Sequence, residues 1–220
     1  MPLPAGWRFR YCIFDIEGVL LNARLLAKKT FGRFLAREYG IPASDALVFF
    51  TQAQDLTLAE KFHRIFEMHG QPVQELDSVI ARFEETVESQ RPLVYEGARE
   101  VLDALLEKGV LLFAVGSAPV GELRSRLGQV DLLGKFRGVL GREAGPKGYP
   151  QMDPLARSLG ISLADFSRDG IYITASPGEI TDVSCRGMAV AGVAHLSSVQ
   201  TLRESGAPVV LKYIGQLIFS

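Results

Sequence analysis

From about residue 94 onward the chain repeats one unit, a stretch of helical periodicity followed by a short run dominated by apolar residues. The runs are Val110 to Val115, Arg137 to Leu140, Gly170 to Thr174, Met188 to Ala194 and Val209 to Tyr213. Helices are expected over Ala98 to Lys108, near Val120 to Leu127, over Pro150 to Leu159, from Glu179, and near Val199 to Glu204. A strand with one wet face alternates apolar and polar residues, whereas a strand that is apolar throughout must be covered on both faces. Such strands alternating with helices predict an α/β fold, a Rossmann-like parallel sheet flanked by helices. Tyr11 to Phe14 reads as a further buried strand. Open parallel sheets bind ligands at the carboxyl ends of their strands, so chemistry is to be sought at Asp15, Gly116 and Thr174.

Between the first strand and the repeating units the pattern is helical. Leu25, Leu26, Phe31, Phe34 and Leu35 recur at helical spacing up to Tyr39-Gly40, with Ile41-Pro42 as a stop signal. A second helical stretch, Leu58 to Phe66, ends at Gly70, and Val73 to Glu88 places Leu76, Val79, Ile80 and Phe83 on one face. Residues 1–20 and 91–220 therefore read as one α/β domain interrupted by a helical insertion at 21–90.

With 220 residues, 47% of them hydrophobic, the chain can bury a substantial interior. Its 24 basic and 25 acidic residues give no electrostatic argument for nucleic acid or an anionic membrane. Small-molecule chemistry or protein contacts are the better expectation. No apolar run approaches the length of a membrane span, and the start of the chain is not a signal peptide, which implies a soluble cytoplasmic protein. Cys12 and Cys185 are too few for a disulfide framework and are expected as buried, reduced thiols.

At the end of the first strand stands Asp15-Ile16-Glu17-Gly18. Alternation along an extended chain aims Asp15 and Glu17 to the same side, and Gly18 permits a sharp turn. Alone, the tetrapeptide reads first as a solvated acidic turn. His63, His69 and His195 show no metal-ligand spacing and are expected at helix surfaces or ends and after the fifth strand. Arg99-Glu100 and Arg142-Glu143 read as surface charge.

The stretch Phe14 to Leu20 resembles the first motif of the haloacid dehalogenase superfamily, Asp-x-Asp-Gly-Thr/Val after a hydrophobic strand. Val94 to Gly109 resembles the helix before motif two in phosphoglycolate-phosphatase-like members. Gly145 to Pro150, containing Lys147, resembles the motif-three Lys-Pro-x-Pro. Thr174 to Glu179, followed by Cys185-Arg186-Gly187-Met188, resembles motif four. The resemblance implies a haloacid-dehalogenase-like core with a helical cap at 21–90 that opens and closes over the site. It implies a phosphomonoester hydrolase acting on a small phosphorylated metabolite, with Asp15 as nucleophile, Glu17 as general acid and base, and Lys147 as the charge-neutralising cation. Gly116, Ser117 and Lys147 would bind phosphate, and Asp15, Glu17 and Glu179 would hold Mg²⁺.

Four positions depart from the family pattern: Glu17 replaces an Asp, Gly116 a Thr or Ser, Gly148 a Pro and Ala175 an Asp. The extra methylene of Glu17 displaces the acid by about 1 Å, an error that costs on the order of a hundredfold. Ala175 cannot ligate a metal, so Mg²⁺ affinity is expected to be poor, with Ala175→Asp restoring it in a loop that accepts the added bulk. Glu179 would reach in, while Asp182 is expected as a solvated helix residue. Two alternatives stand beside a weak or altered phosphatase: an inactive relative that binds a phosphorylated ligand or a protein partner, and a metal-independent haloacid dehalogenase.

Overall fold

The computed structural model describes residues 9–53, 56–72 and 75–217, and the chain forms two compact units. One runs from Ala23 to Leu93; the other joins the residues up to Asn22 with those from Val94 onward.

Among the described residues the first of these contains four helices, α1 (Ala23–Tyr39), α2 (Ala43–Gln52), α3 (Leu58–Met68) and α4 (Leu76–Glu88). Phe62, Ile65 and Phe66 fall three and four residues apart on α3 and are buried against Phe31 and Phe34 of α1 and Phe83 of α4. A reciprocal cap starts α3: the Thr57 hydroxyl accepts from the Glu60 N–H at 3.2 Å, and the Glu60 carboxylate accepts from the Thr57 N–H at 2.7 Å. The helical stretch expected from Leu21 begins at Ala23, and Leu21 instead lies buried in the other unit, bridged to Val94. Val73 lies outside the described residues.

Among the described residues the other unit holds six strands: β1 (Tyr11–Asp15), β2 (Leu111–Val115), β3 (Gly138–Leu140), β4 (Gly170–Thr174), β5 (Ala189–Val193) and β6 (Val209–Leu211). They form one parallel sheet in the order β3-β2-β1-β4-β5-β6. The order reverses at β1, so a crevice between the carboxyl ends of β1 and β4 is where such a sheet places its ligand. Cys12 and Phe14 face one apolar layer, and Tyr11 and Ile13 face the other with Tyr172. Period-two alternation puts Asp15 on the Tyr172 face.

Helices α5 (Ala98–Glu107), α6 (Val120–Gln129), α7 (Met152–Ser158), α8 (Leu163–Asp169), α9 (Pro177–Ser184) and α10 (Val199–Glu204) cover the sheet. Sequence periodicity had no place for α8, whose seven residues are too few for a periodic signal; Ser162, capping the Asp165 N–H at 3.0 Å, was the available sign. Cys12 is buried, but Cys185 is exposed just past α9, which corrects the expectation of two buried thiols. The Arg142-Glu143 and Arg99-Glu100 pairs are not simply surface charge. The Glu143 carboxylate accepts from the Val120 N–H at the start of α6, and Arg99 donates to the Val130 carbonyl. None of the described helices is long and apolar enough to cross a membrane.

Gly18 turns the chain after β1 with φ +86°, and its carbonyl accepts a hydrogen bond from His195 Nδ1 at 2.9 Å. A Cβ there would lie 2.5 Å from Leu196 Cδ1. Gly18→Ala is expected to lower stability by about 1–3 kcal/mol through strain and clash together. A denaturation midpoint unchanged from the natural protein would contradict this geometry.

Candidate active site

Three charged side chains converge at the carboxyl edge of the sheet. Lys147 Nζ stands 2.9 Å from Asp15 Oδ2 and 2.8 Å from Glu179 Oε1. Asp15 ends β1, and Glu179 sits in the first turn of α9, where the Ser176 hydroxyl caps its N–H at 3.4 Å. The other oxygen of Glu179 accepts from the Tyr172 hydroxyl at 2.7 Å and the Thr174 hydroxyl at 2.9 Å. Asp15 is 1% exposed, and its Oδ1 has no hydrogen-bond partner.

Burial is the largest influence on Asp15 and raises its carboxyl to about 7, against the pull of Lys147 and with the help of Glu179. Burial acts to lower the Lys147 ammonium, but Asp15 and Glu179 outweigh it and hold its pKa above the ordinary lysine value. Burial, then the same two carboxylates, also keeps the Tyr172 phenol well above its usual range, so it serves as a neutral donor.

The loop carrying Lys147 is shaped by two glycines in the left-handed region, Gly145 at φ +106° and Gly148 at φ +111°. Proline is locked near −65°, so the loop as folded cannot carry the family's proline at position 148. Asp182 anchors this loop by accepting from the Tyr149 N–H at 3.0 Å while also accepting from Arg186; it is not the free solvated residue expected. Gln151, fully buried, donates from Nε2 to the carbonyls of Gly141 at 2.9 Å, Gly116 at 3.2 Å and Gly145 at 3.4 Å. Turning the amide over would set its oxygen against those three carbonyls. One side chain thus joins the ends of β2 and β3 to the lysine loop, and nothing in the local sequence pattern pointed to it.

Other expected site residues are placed differently. Glu17 does not join the trio; Arg126 of α6 takes its carboxylate at 2.7 Å and also pairs with Glu122 at 2.7 Å. Arg126 was not anticipated, because only the tertiary fold brings α6 beside the turn after β1. At Gly116 a Cβ would lie 2.8 Å from Leu123 Cδ1, and its N–H already bonds the Leu140 carbonyl at 3.1 Å. Neither a side chain nor the amide of Gly116 is therefore available to phosphate. Ser117 is exposed at the next position. Ala175 is 1% exposed within the apolar layer, so it is not in the accommodating loop expected, and Ala175→Asp would bury a carboxylate. His195, two residues past β5, stacks on Tyr95 with ring centroids 3.8 Å apart.

The fit of Mg²⁺ follows from the donor set. Among the described residues no group of three or more His, Cys, Asp or Glu side chains forms a metal-binding cluster. Asp15 Oδ2 and Glu179 Oε1 are on Lys147, Glu179 Oε2 is on two hydroxyls, and Glu17 is on Arg126. A single oxygen, Asp15 Oδ1, is left unpartnered in the trio. Mg²⁺ demands near-octahedral oxygen coordination, so the residues as arranged do not fit it.

The sequence model of the haloacid dehalogenase-like hydrolases matches residues 12–164, more than half of the chain. The chain belongs to that family. Its fold agrees with solved structures at low identity. A candidate β-phosphoglucomutase from Thermotoga maritima superposes with a TM-score of 0.73 at 22% identity, covering 94% of this chain and 96% of that one. A haloacid dehalogenase family hydrolase from Deinococcus radiodurans R1, solved with bound phosphate and sodium, gives 0.70 at 20% identity, covering 96% and 94%. A predicted phosphoglycolate phosphatase from Haemophilus somnus 129PT gives 0.66 at 14% identity, covering 96% and 97%. None of the curated proteins matches the chain.

Proposed function

We propose that this haloacid dehalogenase-like hydrolase cleaves a phosphomonoester of a small metabolite through Asp15, at a rate limited by its altered site. The observation that carries the reading is the lone Oδ1 of Asp15, a buried oxygen without a partner beside an ammonium. Leaving a buried acceptor unmade costs roughly 1–3 kcal/mol, a cost expected where the atom has a chemical task. The phosphate named in the Deinococcus structure supports the same ligand class.

In this scheme Oδ1 attacks phosphorus as the bond to the leaving oxygen breaks, and Glu17 gives that oxygen its proton. Water then attacks the aspartyl-phosphate, returns a proton to Glu17 and frees Asp15 as the P–O bond to the enzyme breaks. Lys147 spreads the developing phosphoryl charge. The Arg126 pair must loosen for Glu17 to act. That pair also favours a second reading, binding of a phosphorylated ligand without turnover.

Only the carboxylate form of Asp15 attacks, and its pKa is about 7. For p-nitrophenyl phosphate, kcat/KM is expected to rise about tenfold per pH unit below that value and level off above it. Absence of turnover at every pH would replace the hydrolase reading with the binding one.

A further inference from the structure

We infer that the Lys147 ammonium is the resident cation of this site, so that the native protein takes phosphate without a divalent metal and Mg²⁺ binds only when the ammonium is removed. The inference deepens the reading above and rests on the same three residues. Lys147 is held by two carboxylates at 2.9 and 2.8 Å, one from β1 and one from α9, the helix that follows β4, at the crevice where the strand order reverses. An ammonium has three donors, and two are committed to Asp15 and Glu179, which leaves one for a phosphoryl oxygen.

A divalent ion entering between the same carboxylates must first expel Lys147 from two ion pairs. The oxygens it would gain, on Asp15 and Glu179, are the ones Lys147 already neutralises, and little else is at hand to repay the exchange. The Tyr172 and Thr174 hydroxyls hold Glu179 Oε2 in place, and the neighbour of Thr174, Ala175, contributes only a methyl group. Glu17 is drawn off by Arg126. With Lys147 gone the balance reverses, because the two carboxylates have lost their cation and a divalent ion no longer has an ammonium to expel. A breached ion pair of this kind strongly destabilises a protein, and any cation that restores neutrality is favoured.

The test is thermal unfolding and calorimetric titration of the full chain in chelator and in millimolar Mg²⁺, with inorganic phosphate as the ligand probe. For the natural protein the expected result is no Mg²⁺ heat, no shift in unfolding midpoint, and one phosphate affinity in both conditions. Lys147→Met and Lys147→Gln are expected to gain a rise of several degrees with Mg²⁺. A variant that folds only when Mg²⁺ is added supports the inference equally. Mg²⁺ binding by the natural protein, or phosphate affinity that collapses in chelator, overturns it. So does a folded pair of variants that ignores Mg²⁺. If neither variant folds under any condition, the natural protein's two titrations decide. The outcomes separate from those of the hydrolase reading: hydrolysis that requires Mg²⁺ overturns this inference alone, and a silent, metal-indifferent protein that binds phosphate overturns turnover alone.

Discussion

Asp15→Asn is expected to reduce hydrolysis of p-nitrophenyl phosphate to the uncatalysed background while making the protein more stable at neutral pH. Asparagine has nearly the same shape but no charge to desolvate, and its amide is no nucleophile. Asp15 ionises in the folded protein at about 7, above the ordinary 3.8. Below about pH 4 the carboxyl is protonated in both folded and unfolded chains, and the substitution changes little. Between there and 7 the unfolded chain releases the proton first, so the natural protein loses stability as pH rises. Above 7 the loss is complete and constant. At 1.36 kcal/mol per pKa unit the gap in favour of Asp15→Asn reaches the order of a few kcal/mol. Denaturant unfolding at stepped pH measures it. A gap that shrinks toward neutral pH would mean that Lys147, and not burial, governs Asp15. Equal turnover by the two proteins would place any activity elsewhere.

Phe62→Ala is expected to cost the helical unit about 3–5 kcal/mol. Phe62 is fully buried and its ring meets Phe31 at 5.0 Å, Phe83 at 5.4 Å, Phe66 at 5.9 Å and Phe34 at 6.0 Å. These partners come from three helices, so no single side chain can move in to fill the void. Aromatic pairs add to the burial. Phe62→Leu keeps most of the volume and should lose appreciably less. The measurement is the denaturant midpoint and amplitude of helical circular dichroism. A loss below about 1 kcal/mol for the alanine variant would show that the cluster is not the unit's core.

The fold and the site differ in how far they can be read along the chain, and the difference has a physical cause. Burial acts on every residue of an element, so a strand such as Ile171 to Ile173 or a helix face such as Phe62-Ile65-Phe66 repeats its signal at a fixed period. That was sufficient for the parallel α/β architecture and for a helical insertion. The terminal carboxylate of β1 and the lysine between two glycines were likewise legible, because strand ends and tight loops carry local marks. Charge partners carry no such period. Arg126 lies 109 residues from Glu17, and Gln151 lies 35 from Gly116, separations that only the packed sheet closes. The same is true of absences: position 116 lacks a side chain because Leu123 occupies the space, and position 148 lacks proline because its φ is positive. By itself the sequence determined the parallel α/β alternation and which carboxylate ends the first strand. The tertiary structure decided which charge each carboxylate faces: Coulomb energy depends on distances set by packing across the sheet, and so on no pattern within any one segment.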